Sequence, residues 1–298
     1  MLFAVPDDSC PQQQCAVVEV TKDAGKSWKP LSAVDVGVSA RPVGDTVREV
    51  RFAGDGTNGW TFGGELLATH DAGASWTTPA LPVSGSVTSL EAWGEFVYAV
   101  VTDEAQGTAS LVRSPVASDD WRTVDLGAVP AEIPALVVSE QVVAVLARPA
   151  DSDVESLLTS SDGVTWQTRT PCEEGRSPST LSTTEKSMWL LCSDDTAAHA
   201  RVSVDGGQTW EGAPGEFSLG SQLAARDPST AAVADPAGRG LTLVAVDHQP
   251  VQVSDSELDD VVLAGFTNPT TGYVLDANGD VLRTDDGGKT WQPYSLPR

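Results

Sequence analysis

Aspartate is the residue whose type and spacing most suggest chemistry, because it recurs at one position of a repeated octapeptide. The octapeptide begins with a hydroxyl residue and has Asp third, Gly fifth and Trp last. A carboxylate can ligate a metal ion, act as a general acid or base, or accept hydrogen bonds from turn amides. Repetition favours the turn role, because a catalytic site needs different residues from different parts of a fold. The complete copies are Thr21–Trp28, Thr69–Trp76, Ser203–Trp210 and Thr284–Trp291.

The spacing of the copies indicates a repeat architecture. A copy shortened by one residue is Ser160–Trp166, and a remnant ends at Trp121, so that consecutive units lie 44 to 48 residues apart. The step from Trp210 to Trp291 is 81 residues, which predicts one further unit with an eroded octapeptide near Asp247–Pro250. Short Val-rich runs bounded by Gly, Pro, Asp and Ser predict strands, and a sustained 3.6-residue apolar period is absent. Units of this length are typical of four-stranded propeller blades.

The predicted fold class is therefore an all-β, seven-bladed β-propeller that forms a single domain over residues 1–298. Leu2–Val5 aligns with second strands such as Val97–Val100, so the first blade is expected to lack its innermost strand. Either that blade has three strands, or the chain begins inside a longer natural protein. The blades are expected at about residues 1–31, 46–81, 86–127, 131–171, 177–214, 219–254 and 259–298.

The octapeptides resemble the Asp-box, or bacterial neuraminidase repeat, of sialidase-like and sortilin-like β-propellers. In that family the box forms the hairpin between the third and fourth strands of a blade. The resemblance implies that the box Asp accepts hydrogen bonds from the turn and that the box Trp covers the hairpin. The residues expected to have this structural role are Asp23, Trp28, Asp71, Trp76, Asp162, Trp166, Asp205, Trp210, Asp286 and Trp291.

Sialidase activity, which the resemblance raises, is not supported by the residues. Sialidases of the family bind the substrate carboxylate with three arginines, use a tyrosine nucleophile and carry an Arg-Ile-Pro motif. This chain lacks that tripeptide and has only three tyrosines as candidate nucleophiles. A glucan-cleaving glycoside hydrolase with paired carboxylates stays an alternative, because an acidic chain supplies many candidates. No phosphate-binding loop, Ser-His-Asp pattern or His-rich metal motif is present, so no catalytic residue is assigned.

The charge balance points away from anionic partners. The chain has 18 Lys and Arg against 42 Asp and Glu, a net charge of −24, which repels nucleic acid and anionic membranes. Its apolar runs are shorter than the roughly 20 residues that span a bilayer, so no direct membrane insertion is expected. The expected partner is a protein or glycan ligand of cationic character, and no oligomeric state is indicated.

Loops that join second to third strands are expected to share one face, opposite the boxes, and to form a candidate acidic face. This face either steers a cationic partner or is simply a set of solvated loops. No cofactor is expected, and calcium is the ion that such carboxylates could hold. Its members are Asp7, Asp8, Asp103, Glu104, Asp151, Asp153, Asp194, Asp195, Asp235 and Asp276.

The four cysteines form two sequence pairs, Cys10 with Cys15 and Cys172 with Cys192. Two disulfides indicate an extracytoplasmic protein, whereas four reduced thiols would fit a cytosolic one. No export signal is visible, so it is expected to be absent from this chain. The function predicted is a non-catalytic binding or scaffold module, with a glycoside hydrolase and a structural domain of an envelope protein as alternatives.

Overall fold

The structure, a computed structural model, describes residues 2–6, 14–23, 25–34, 36–39, 46–235, 240–253, 258 and 261–294. Within these residues the chain forms strands β1 to β28 and no α-helix. The predicted all-β class is confirmed. Most sheets are antiparallel meanders in which consecutive strands are neighbours, and this is the topology of propeller blades.

The N-terminal sheets are the irregular ones. The first has three strands, and a short parallel pair separates it from the second, whose fourth strand is reduced to a bridge between Ala68 and Thr77. The first sheet contains β1 (Leu2–Pro6), β2 (Gln14–Val20) and β3 (Lys29–Val34). The parallel pair is β4 (Gly37–Val38) with β5 (Thr46–Val47), and the second sheet contains β6 (Glu49–Phe52), β7 (Gly59–Phe62) and β8 (Leu67–Thr69).

The remaining sheets each have four strands in chain order. The next two contain β9 (Ser86–Trp93), β10 (Phe96–Asp103), β11 (Thr108–Pro115) and β12 (Arg122–Thr123), then β13 (Pro130–Val138), β14 (Val143–Pro149), β15 (Ser156–Ser160) and β16 (Gln167–Arg169). They are followed by β17 (Ser177–Thr183), β18 (Met188–Ser193), β19 (Ala198–Ser203) and β20 (Glu211–Gly212). The stretch predicted to contain a unit with an eroded octapeptide forms the sheet of β21 (Gln222–Asp227), β22 (Thr230–Asp235), β23 (Gly240–Ala245) and β24 (Val251–Gln252). The last sheet contains β25 (Val261–Phe266), β26 (Gly272–Asp276), β27 (Val281–Thr284) and β28 (Gln292–Pro293).

The second strand is the most buried strand in four of the five four-stranded sheets, which explains the continuous apolar runs in the sequence. Every residue of β7 and of β22 is buried, as are the central residues of β10 and β18. A strand with both faces covered does not need polar alternation. The outer strands are two or three residues long and exposed, so the hairpins that hold them need their own stabilisation.

The chain divides into two compact units, of which the first comprises residues 1–138 and 147–153 and the second 139–146 and 154–296. The core of the first unit is centred on Trp60, Phe62 and the alternate valines of β10. Two apolar clusters stabilise the second unit, one around Trp189 and one around Leu241 and Leu258. Within the described residues, no helix is long and apolar enough to cross a membrane.

Candidate functional site

The box Asp lies at the centre of a closed hydrogen-bond network in its hairpin. In the hairpin after β8, Asp71 Oδ1 accepts hydrogen bonds from the Thr69 hydroxyl at 2.8 Å and from the Ser75 amide at 2.9 Å. Asp71 Oδ2 accepts a hydrogen bond from the Ser75 hydroxyl at 2.6 Å. The amide of Gly73 donates back to the Thr69 hydroxyl at 2.8 Å. The turn therefore satisfies its own polar groups within seven residues, which an exposed hairpin with a very short outer strand requires.

The same network recurs in the other complete boxes. Asp205 and Asp286 each accept the hydroxyl of the first box residue and both the amide and the hydroxyl of the seventh. These hydrogen bonds to the ionised carboxylate lower the pKa of Asp71, Asp205 and Asp286 to about 2. A carboxylate held this way is ionised at neutral pH and is a poor proton donor. Asp23 has the same partners in its own box.

The box tryptophans differ in how their indole N–H is satisfied. Trp210 Nε1 donates to the Gly207 carbonyl at 3.2 Å, and Trp291 Nε1 donates to Gly288 at 3.1 Å. The buried Nε1 atoms of Trp76 and Trp166 have no hydrogen-bond partner among the described residues. The structure places Trp28 in the first box, beside Lys29 of β3.

Three members of the candidate acidic face cap the turns between second and third strands. Asp103, Asp194 and Asp276 each accept the amides of residues two to four positions further along, at 2.8 to 3.1 Å. The hydroxyl and amide of Thr196 hold the pKa of Asp194 well below its usual range, and Arg176 adds to the effect. These carboxylates are thus both structural and fixed in position.

The other acidic members are not equivalent to one another. Glu104, Asp151, Asp153 and Asp195 are exposed on the same kind of turn, whereas Asp235 is buried and accepts the Ser218 hydroxyl at 2.9 Å. Asp7 and Asp8 lie outside the described residues. No group of three or more His, Cys, Asp or Glu side chains in the described part of the chain is arranged to hold a metal ion.

A disulfide joins Cys172 to Cys192, with an S–S distance of 2.05 Å. It ties the segment before β17 to the buried strand β18, beside a charge network in which Arg176 pairs with Glu173 at 3.3 Å and with Asp194 at 3.2 Å. Cys15 is also disulfide-bonded, and Cys10, its expected partner, lies outside the described residues.

One charged pair was not predicted from the sequence. Arg51 on β6 donates to Glu91 on β9 at 2.6 Å, joining the first strands of two successive sheets. Burial raises the pKa of Glu91, even though Arg51 acts to lower it. Glu49 is near enough to raise it further. The two residues of the pair are 40 apart in sequence, so only the pairing of sheets could have revealed them.

Comparisons with known proteins agree with the geometry of the boxes. Residues 282–293, which run from β27 through the last box to β28, match the family BNR/Asp-box repeat. No curated protein matches the chain. YCF48 from Cyanidioschyzon merolae is similar in structure, with 14% identity, a TM-score of 0.58 and coverage of 83% of this chain and 84% of that one.

Two further solved structures are similar. YCF48 bound to D1 peptide has 15% identity and a TM-score of 0.58, covering 86% of this chain and 84% of that one. A chain of a nidogen/laminin complex has 10% identity and a TM-score of 0.54, covering 80% and 92%. At such identities the likeness concerns the fold alone. With the family match, it confirms the resemblance to Asp-box β-propellers.

Proposed function

We propose that this Asp-box β-propeller is a non-catalytic binding or scaffold module outside the cytoplasm, and that a cationic segment of a protein partner docks on its acidic turns. The proposal includes seven blades, the first of them without its innermost strand. The box carboxylates are held ionised by hydrogen bonds within their own hairpins, so we assign them no catalytic acid or base role. The Cys172–Cys192 disulfide supports an oxidising compartment.

The observation that carries the proposal is the fixed acidic turn. Asp103 in the first unit, and Asp194 and Asp276 in the second, occupy the turn between the second and third strands of their own sheets, and turn amides hold each carboxylate in place. Preorganised carboxylates bind a cationic partner without ordering cost, and exposed neighbours such as Asp195 add to the field. YCF48 bound to D1 peptide and the nidogen/laminin complex are relatives by fold that engage a peptide or a protein.

The test compares two sets of three exposed carboxylates in the same three sheets. The binding set is Glu104→Gln, Asp153→Asn and Asp195→Asn, on turns between second and third strands. Its matched control removes the same charge from turns between first and second strands, at the other end of the blades. The control set is Glu95→Gln, Glu140→Gln and Glu185→Gln.

Binding of a fluorescent Lys-rich peptide is measured by anisotropy at about 50 and 300 mM NaCl. Three rim charges worth about 0.5 kcal/mol each predict a roughly tenfold loss of affinity for the binding set, with a shallower salt dependence. The control set should bind as the native chain does. Equal losses in both sets, or no binding to the native chain, would refute docking on the acidic turns. A parallel series with calcium chloride tests whether the ion competes with the peptide for these carboxylates.

A second candidate, a glycoside hydrolase, is favoured by one observation. Glu91 has a raised pKa, as a general acid requires, and Glu49 lies near it. Turnover of β-glucans and aryl glycosides that vanishes in Glu91→Gln but survives in Glu95→Gln would establish this activity. Absence of turnover in the native chain leaves the binding function.

A further inference from the structure

A polar cleft of about 590 Å³ lies between the box hairpins that follow β15 and β19, within the second unit. This volume is in the range of small-molecule sites, about 300 to 1,000 Å³. The cleft is at the opposite end of β15 from the acidic turn that contains Asp153. It is therefore a different surface from the one proposed to bind a cationic partner.

Arg169, at the end of β16, supplies the cleft with donors that no described residue uses. Its Nε donates to Thr159 Oγ1 at 2.9 Å, which orients the half-buried guanidinium. Its terminal N–H groups make no hydrogen bond or ion pair with the described residues. Most of the described arginines instead pair with a carboxylate, as expected in a chain of net charge −24. Those arginines are Arg48, Arg51, Arg122, Arg148, Arg176, Arg201, Arg226 and Arg283.

Two carboxylates line the same cleft without neutralising Arg169. Asp162 accepts the amides of Val164 and Thr165 at 2.8 and 2.7 Å, and Asp205 is held by its own box in the same way. Neither carboxylate forms an ion pair with Arg169 in the described part of the chain. The cleft thus presents a donor-only group and two acceptor-only groups side by side.

The position of Arg169 is not required by the repeat. It stands three residues after the box Trp, where every other recognisable box or remnant has an apolar residue or tyrosine. Val204 departs from the repeat too, because it is 56% exposed at a box position where the other boxes have a polar residue. The residues equivalent to Arg169 are Leu31, Pro79, Val124, Ala213 and Tyr294.

We propose that this cleft binds a neutral, hydroxyl-rich ligand, namely a neutral glycan, with two adjacent hydroxyls accepting from the terminal N–H groups of Arg169. A hydroxyl is both donor and acceptor, so one sugar can satisfy the guanidinium and the carboxylates of Asp162 and Asp205 together. The side-chain amides of Gln167 and Gln208 add groups of the same dual kind. An anionic ligand is disfavoured, because the cleft has two negative carboxylates and only one positive guanidinium.

Apolar contact is provided by Val204 and by the buried Val142, which line the cleft beside the polar groups. Such side chains pack on the C–H face of a sugar ring. The cleft is partly open to solvent, which fits a chain end or a short oligosaccharide.

The experiment measures binding of maltohexaose, cellohexaose, laminarihexaose and mannohexaose to the full chain by saturation-transfer NMR and calorimetry, with trigalacturonate as the acidic probe. At least one neutral probe should bind. Affinity should fall at least tenfold in Arg169→Ala and in Arg169→Lys, because the lysine keeps the charge but loses the planar fork of donors. Gln208→Ala should weaken binding about threefold to tenfold. Its side chain is exposed and donates from Nε2 to the Asp205 carbonyl at 3.0 Å, so circular dichroism must show that the variant is folded.

Arg122→Ala is the matched control, because that arginine is exposed, lies on β12 and is outside the cleft. It should leave binding unchanged. Tighter binding of trigalacturonate than of any neutral probe, equal loss in Arg122→Ala, unchanged binding in both Arg169 variants and Gln208→Ala, or no binding by the panel would each overturn the proposal. The acidic-turn variants described above should retain glycan binding, which separates the two proposals.

Discussion

Two fully buried tryptophans offer a direct measurement of what one indole hydrogen bond contributes to this fold. Trp60 and Trp189 are the second residues of β7 and β18, each the second strand of its sheet, and both are 0% exposed. Trp189 Nε1 donates to the carbonyl of Asp227 at 3.0 Å, whereas Trp60 Nε1 is buried without a partner among the described residues. Replacing each by phenylalanine removes the same atoms from the same kind of site.

The two substitutions share a cavity cost of about 1 to 2 kcal/mol. Trp189→Phe also loses a hydrogen bond and leaves the Asp227 carbonyl without its donor, which adds about 1 to 2 kcal/mol. Trp60→Phe removes a donor that was already desolvated and unpaired, so it recovers part of the cavity cost. We therefore expect Trp189→Phe to be about 2 kcal/mol more destabilising than Trp60→Phe.

Urea unfolding followed by far-UV circular dichroism gives the free energy of unfolding for each variant, provided that the slope of the transition is unchanged. Thermal unfolding gives an independent ranking of the two variants, because a change of 1 kcal/mol in the free energy of unfolding shifts the Tm of a chain of this size by about 2 to 4 °C. Equal losses of unfolding free energy in the two variants, or a larger loss in Trp60→Phe, would refute the idea that the indole hydrogen bond makes Trp189→Phe the more destabilising substitution.

Three further outcomes are expected. Asp71, Asp205 and Asp286 have pKa values of about 2 when folded and about 3.9 when unfolded, so the stabilisation they provide is complete above about pH 5 and is lost as the pH falls towards 2; acid titration of the circular dichroism signal checks this. Replacing Cys172 and Cys192 together by alanine should lower the free energy of unfolding by about 3 kcal/mol, and dithiothreitol should then shift the Tm less than in the native chain, because only the disulfide of Cys15 is left to reduce. Gly207→Ala should lower the free energy of unfolding in urea by about 2 to 3 kcal/mol, because φ is +85° and the new Cβ would lie 2.8 Å from Met188. Gly206→Ala should lower it by about 1 kcal/mol, because φ is +72° but the space around the new Cβ is open.

The sequence predicted the architecture because the repeat encodes local structure. The box octapeptide specifies a hairpin from residues within eight positions of one another, and apolar runs such as Val97–Val101 identify strands covered on both faces. The interval between Trp210 and Trp291 holds the four-stranded sheet β21 to β24, at the place where the spacing predicts a unit with an eroded octapeptide. Leu2–Pro6 pairs with β2, so the first sheet has three strands in the described residues.

The candidate sites were less accessible to sequence reasoning, because their geometry depends on contacts between distant residues. Arg51 and Glu91 meet only because two sheets are neighbours, and no local pattern marks either residue. The acidic turns were visible as residue types, but the sequence could not show that Asp103 and Asp194 cap backbone amides while Asp235 is buried. Arg169 could have been singled out by aligning the boxes, since it replaces an apolar residue there.

The short range of the box hydrogen bonds has a consequence for how this chain acquires its structure. In each complete box every bond joins residues no more than four positions apart, so closing the hairpin costs the entropy of only a very small loop. Hairpins of this kind form within microseconds, long before strands of different sheets can find one another. During synthesis, each box can therefore form its hairpin as soon as its tryptophan has left the ribosome. We therefore expect the four complete boxes to form early and independently of one another, and to fix strand register before the sheets assemble.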